Sequence, residues 1–149
     1  MAHEKHNEIV HMLMEIGKKL GFDSTGRTMG DLYKLASADC VWYYPPDSED
    51  SKDSNLQYIF ADFASQDKYH KVPFVAFEVA YSEKEKALRG SLASLQILGA
   101  SVSVIVLAGD SKEYKEYLNE LIKKFALNRV IVWDDSKVYE WHSRIVKGG

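Results

Sequence analysis

Val72-Pro73-Phe74-Val75-Ala76-Phe77-Glu78-Val79-Ala80-Tyr81, followed at once by Ser82-Glu83-Lys84-Glu85, is the stretch that decides the fold of this chain. Its residues are almost all apolar, with valine and aromatic side chains prominent, the composition of a buried strand. Beyond it Leu88, Leu92, Leu95 and Leu98 recur at helical steps and Gly99 closes the run, so the strand leads into an amphipathic helix. Ser82 with Glu85 three residues on has the form of a capping box at the helix start. Next, Val102–Ala108 is an unbroken apolar run, the pattern of a strand covered on both faces. Strand, helix and strand joined so closely predict a parallel crossover unit.

One residue in the first strand is out of character. Glu78 places a carboxylate near the end of an apolar strand, where a charge without a partner is costly. Alternation puts Glu78 on one face with Phe74, Ala76 and Ala80, and Phe77 and Val79 on the other. Upstream, Ser37-Ala38-Asp39-Cys40-Val41-Trp42-Tyr43-Tyr44 has the same character: an aromatic-rich strand over residues 39–44, stopped by Pro45-Pro46. There Asp39 shares a face with Val41 and Tyr43. If the two strands pair, Asp39 and Glu78 converge near the strand ends. Two such carboxylates repel unless a proton or a cation joins them. A hard divalent ion such as magnesium, with its oxygen ligands, is the natural occupant. It would activate water and stabilise charge on a phosphoryl group.

Outward from this centre, Ile9, Leu13, Ile16 and Leu20 form the stripe of a first helix over residues 3–20, ended by Gly21. Residues 21–36 read as irregular, with a short helical turn at 31–35. Residues 47–55 read as an acidic, solvated loop and 56–63 as a short helix. A second amphipathic helix is predicted over 111–125, with Tyr114, Leu118, Leu121 and Phe125 inward. A strand over 130–133, a turn at 134–136 and a last strand over 137–141 complete the chain. The whole is one α/β domain with a mixed central sheet flanked by helices.

Bulk properties restrict the function. A chain of 149 residues forms one domain with a real core. Its net charge of -3 is not that of a generic nucleic-acid binder, so any such contact needs a local basic patch. The single cysteine, Cys40, builds no internal disulfide framework and favours a reducing compartment. It reads as a small buried hydrophobe more readily than as a nucleophile. With no apolar run of membrane-spanning length and no signal-peptide stretch, a cytoplasmic location is expected. His3, His6, His11, His70 and His142 lack zinc-site spacing, and no phosphate-binding glycine loop occurs.

In element order and in the placement of its acids, the chain resembles the PD-(D/E)XK nuclease superfamily, in particular its restriction-endonuclease-like and archaeal resolvase-like members. The resemblance lies in Ala38-Asp39-Cys40-Val41-Trp42, then Phe77-Glu78-Val79-Ala80, the leucine-rich helix and the strand Val102–Ala108. It implies a core of helix, three strands, helix and strand (α-β-β-β-α-β). It also implies an endonuclease dependent on magnesium or manganese, hydrolysing DNA, less readily RNA, by metal-activated water. Asp39 and Glu78 would hold the metal. A homodimer follows by the same analogy, since cutting two strands needs two sites. The departure is Ala80, which stands where the family has a lysine. Lys84 and Lys86, at the start of the next helix, are the candidate replacements, with solvated surface lysines as the plainer reading. Glu8 is a further metal candidate, because a first-helix glutamate approaches the metal in the resolvase-like branch; balancing Lys5 at the surface is the alternative. Gln96 is either a phosphate contact or an ordinary polar residue. Trp42, Tyr43, Tyr44, Trp133 and Trp141 either stack on bases or belong to the core and a dimer surface. Two other readings compete with the nuclease. One is a catalytically inactive module of the same fold for nucleic-acid binding or protein assembly. The other is an unrelated α/β domain with Asp39 and Glu78 hydrogen-bonded at strand ends.

Overall fold

A computed structural model describes residues 2–26, 38–44 and 72–147 of the chain. Its elements are α1 (Ala2–Lys19), β1 (Asp23–Gly26), β2 (Cys40–Tyr44), β3 (Val72–Tyr81), α2 (Glu85–Leu98) and β4 (Val102–Ala108). A 3-10 turn (Gly109–Tyr114) then runs into α3 (Lys115–Lys124), followed by β5 (Val130–Asp134), α4 (Asp135–His142) and a π turn (Ser143–Lys147). The strands form one sheet in the order β1-β2-β3-β4-β5. The first three are antiparallel neighbours, whereas β4 and β5 run parallel to β3. The protein is thus α/β with a mixed five-stranded sheet flanked by helices.

The sheet separates two cores. On one face Val41, Tyr43, Ala76, Ala80, Ile105 and Leu107 pack with Leu88, Leu92 and Leu95 of α2 and Leu118 of α3. On the other, Cys40, Trp42, Phe77, Val79, Val104 and Val106 meet Ile9, Leu13 and Ile16 of α1 and Val138 of α4. The alternation expected of β2 and β3 holds along most of both strands, and β4 is buried from Ser103 to Ala108. Phe74 is the exception. The register slips between Trp42 and Tyr43, leaving Phe74 as the extra residue on β3. Its ring stacks on Phe22, which also stacks on Trp42.

Trp42 is the hub of the α1 side. Its indole N–H donates to the Leu13 carbonyl at 2.9 Å. Its ring lies 4.7 Å from that of Phe77 and 5.7 Å from that of Trp141. Gly17 lies directly under the indole, where any Cβ would collide with the ring. The Cys40 thiol is buried among these groups, and burial pushes its pKa up to about 12. It is the inert small hydrophobe that its apolar context implies.

Several expectations are corrected. Residues 23–26 are not irregular: Asp23–Gly26 pairs with Cys40–Tyr43 as an edge strand. Its polar sequence carries no alternation signal, and its order comes from backbone pairing to β2. Residues 137–141 are helical, because Val138 and His142, one turn apart, both face inward. A strand would have sent Val138 and Glu140 to the same face. The proposed capping box is absent. Ser82 takes a positive φ of 55° and accepts a hydrogen bond from the Asp110 N–H, so α2 begins only at Glu85, with Lys84 as its cap. Leu20 and Phe125 close their helices off the buried stripes and are 43% and 62% exposed. The predictions for residues 31–35 and 45–63 lie outside the described residues.

α4 is fastened to α1 by a polar clasp. The Glu15 carboxylate accepts a hydrogen bond from the Nε2–H of His142 at 3.0 Å, and His142 is buried. That bond, assisted by His11 and Lys18, holds the Glu15 carboxyl below its usual pKa. A carboxyl with a lowered folded-state pKa contributes stability above its unfolded value, and that contribution is lost as the pH falls through the folded value. Urea unfolding of wild type and Glu15→Gln should therefore converge in stability as the pH is taken from about 5 to about 3. A pH-independent difference would show that the clasp is not the source.

Candidate functional site

The candidate site lies where β2 begins beside the end of β3. Cys40 pairs with Phe77 at the end of the register, and Asp39 is the residue just beyond that pair. The Asp39 side chain continues the sheet past the last backbone pair: its Oδ2 accepts the Val79 N–H at 2.8 Å. The same oxygen is 3.3 Å from Nε2 of His6 on α1. Glu83, in the turn after β3, completes this corner. Burial raises its carboxyl pKa, the Asp39 charge raises it further, and His6 opposes both.

The turn that carries Glu83 is tightly built. The Glu83 N–H donates to the Ser111 hydroxyl oxygen, and that hydroxyl donates back to the Glu83 carbonyl at 3.0 Å. Ser82 and Gly109 face each other, both at positive φ. A side chain on Gly109 would run into the Ser82 hydroxyl and the Tyr81 ring, so this approach requires glycine. The carboxyl ends of parallel strands are where open α/β sheets place ligands. At the neighbouring strand ends Lys112 pairs with Asp135 at 2.8 Å and Lys115 with Asp134 at 3.6 Å.

The sequence-derived candidates are distributed as follows. Asp39 lies one residue beyond the last pair, Cys40–Phe77, and its carboxylate turns to His6 on α1, whereas Glu78 is half-buried on the strand between Ala76 and Ala80, which face the α2-side core. Ala80 is fully buried in the α2-side core. Lys84 caps α2 with an extended backbone and Lys86 sits in its first turn; both are exposed, and neither forms an ion pair with Asp39. Glu8 is engaged elsewhere: Lys5 is 3.5 Å from its carboxylate and the Tyr139 hydroxyl donates to it at 3.4 Å. Gln96 is exposed on α2, and Trp42 belongs to the core. From α1 it is His6 that reaches Asp39. Extending the stripe of Ile9, Leu13 and Ile16 back by three residues lands on His6, the one signal that would have found it.

No family model, no curated protein and no solved structure matches this chain.

Among the described residues no three His, Cys, Asp or Glu side chains come together to hold a metal ion. What the corner does hold is a carboxylate beside an imidazole: Asp39, fixed by the Val79 N–H, lies 3.3 Å from Nε2 of His6, while Nδ1 of His6 lies 3.3 Å from the Asn7 side-chain oxygen. No helix among the described residues is long and apolar enough to cross a membrane.

Proposed function

We propose that this chain is a restriction-endonuclease-like module that binds nucleic acid without cutting it through Asp39 and Glu78. The order α1, three antiparallel strands, α2 and a parallel β4 supports the first half of this reading, being the order the family resemblance implies. The second half is carried by Ala80. Hydrolysis at such a site needs a cation to position water and offset developing charge. Ala80 is fully buried in the α2-side core instead, and the lysines that follow point to solvent. Asp39, moreover, already serves the Val79 N–H and His6.

One observation favours metal-dependent hydrolysis as a second reading: Asp39 lies just beyond the Cys40–Phe77 pair, next to the strand that carries Glu78. Three measurements on the full chain separate the two: calorimetric titration with manganese, binding of labelled DNA oligonucleotides, and incubation of those oligonucleotides with magnesium or manganese. The module reading expects bound, intact DNA, and no heat of metal binding that depends on Asp39. Manganese-dependent cleavage that disappears in Asp39→Ala would establish the nuclease. Failure to bind either single-stranded or duplex DNA would remove the module reading.

A further inference from the structure

We infer that the groove between the end of β5 and α4 is a nucleotide site, with a base against Trp133 and Trp141 and a phosphate on Lys137 and Arg144. This rests on the nucleic-acid reading for its biological partner, and on the groove alone for its chemistry. The groove has a volume of about 250 Å³ and is lined by Trp133, Lys137, Glu140, Trp141 and Arg144. The last four recur at steps of three, one and three, and so share one face of α4 and its continuation. Trp133 reaches the same place from β5. It lies on the α1-side face of the sheet beyond Val106, with Ile131 two residues earlier and 43% exposed. The cover of this face by α1 and α4 is therefore incomplete at β5.

Both indoles are partly exposed yet held from behind. Their rings meet edge to face at 5.8 Å; Trp133 is backed by Phe77 at 6.3 Å and Trp141 by Trp42 at 5.7 Å. Rigid aromatic rings lose little freedom on binding, and aromatic–base stacking contributes about 1–3 kcal/mol per base in single-stranded complexes. Lys137 Nζ already lies 5.5 Å from the Trp133 ring centre, so the groove accepts a cation over the indole and a second charge beside it. Arg144 is 2.8 Å from Glu140, and both are well exposed. Such an exposed pair is weak, and a phosphate can displace the carboxylate with a bidentate contact. The groove is the size of one base, and a base within a duplex has its faces covered by its neighbours. The ligand is therefore a free nucleotide or a nucleotide of a single strand.

The test uses tryptophan fluorescence of the full chain with thymidine monophosphate, and in parallel the anisotropy of a fluorescein-labelled oligothymidylate at low salt. Wild type should be quenched by the mononucleotide. The double variant Lys137→Glu/Arg144→Glu should weaken that quenching by at least about tenfold, two lost phosphate contacts being enough for this. Glu140→Gln, which frees Arg144, should tighten binding, an effect that a purely structural role for the pair does not produce. The three lining residues other than the indoles are exposed, so an unchanged urea midpoint checks that the variants fold. No quenching in wild type, or equal quenching in the double variant, overturns the inference. The oligonucleotide arm addresses the wider reading: a strand bound equally by wild type and the double variant keeps the nucleic-acid module and discards this groove. Mononucleotide quenching without oligonucleotide binding keeps the groove and discards the module.

Discussion

Replacing Trp42 with alanine should destabilise the domain by about 3–5 kcal/mol, the range for removing a buried large aromatic side chain. Domains of this size are held by roughly 5–15 kcal/mol in all, so the loss would take a large part of the total. Trp42 is 3% exposed, and its ring touches those of Phe22, Phe77 and Trp141, joining β1's approach, β3 and α4 to α1. Its indole N–H also fixes the Leu13 carbonyl, so truncation removes both packing and a buried hydrogen bond. Gly17→Ala attacks the same contact from the other side, and should cost about 1–3 kcal/mol because a rigid ring fills the space a methyl would need. Urea unfolding monitored by circular dichroism measures both. A loss below about 1 kcal/mol for Trp42→Ala would mean that the aromatic cluster is not the keystone of this face.

Ala80→Lys is the second large expected effect. The substitution introduces the lysine found in the nuclease superfamily that the sequence resembles, yet the place it would occupy is closed. Ala80 has no exposed surface and lies in the core with Leu88, Leu92, Ile105 and Leu107. Four methylenes overfill such a site, at about 1–3 kcal/mol, before the ammonium is considered. Burial disfavours the charged form and so depresses the folded-state pKa of the new lysine. Between that value and the ordinary lysine pKa of roughly 10.4 the unfolded chain binds more protons, so the variant should regain stability relative to wild type as the pH rises through this window. The expected result is a strongly destabilised protein, less so in alkali, with no gain of DNA cleavage. A variant as stable as wild type that cuts DNA with manganese would instead show that Ala80 is merely a lost catalytic group on an intact nuclease.

The parts of the fold that the sequence made legible are those where one strong pattern acts alone. Val72–Tyr81 and Val102–Ala108 are strands to the residue, and Leu88, Leu92 and Leu95 are the buried stripe of α2. The parts it concealed are set by tertiary contact. Asp23–Gly26 is a strand because β2 offers it hydrogen bonds, and Asp135–His142 is a helix because Val138 and His142 together meet the α1 side. The same division runs through the candidate site. Strand pairing anticipates that Asp39 sits at the start of β2 beside β3, where its Oδ2 accepts the Val79 N–H. It does not anticipate His6 or Glu83, which arrive from a helix end and a turn whose positions depend on how Ser82, Gly109 and Ser111 close. Lys84 borders the inward stripe of a helix that begins at Ser82; with the helix starting at Glu85 it is an extended cap residue, exposed to solvent.

The lone thiol of Cys40 gives the molecule an internal clock. An alkylating reagent attacks the thiolate, and here the sulfur is both enclosed and, with its pKa pushed up to about 12, almost wholly protonated at neutral pH. Labelling must wait for the sheet to part at β2, the strand that joins β1 to β3. With reagent in modest amount the labelling rate reports how much of the population is open there, and with reagent in excess it reports how often opening occurs. The same strand begins one residue after Asp39, so the clock is mounted beside the corner formed by Asp39, His6 and Glu83. A ligand that braces that corner should slow it.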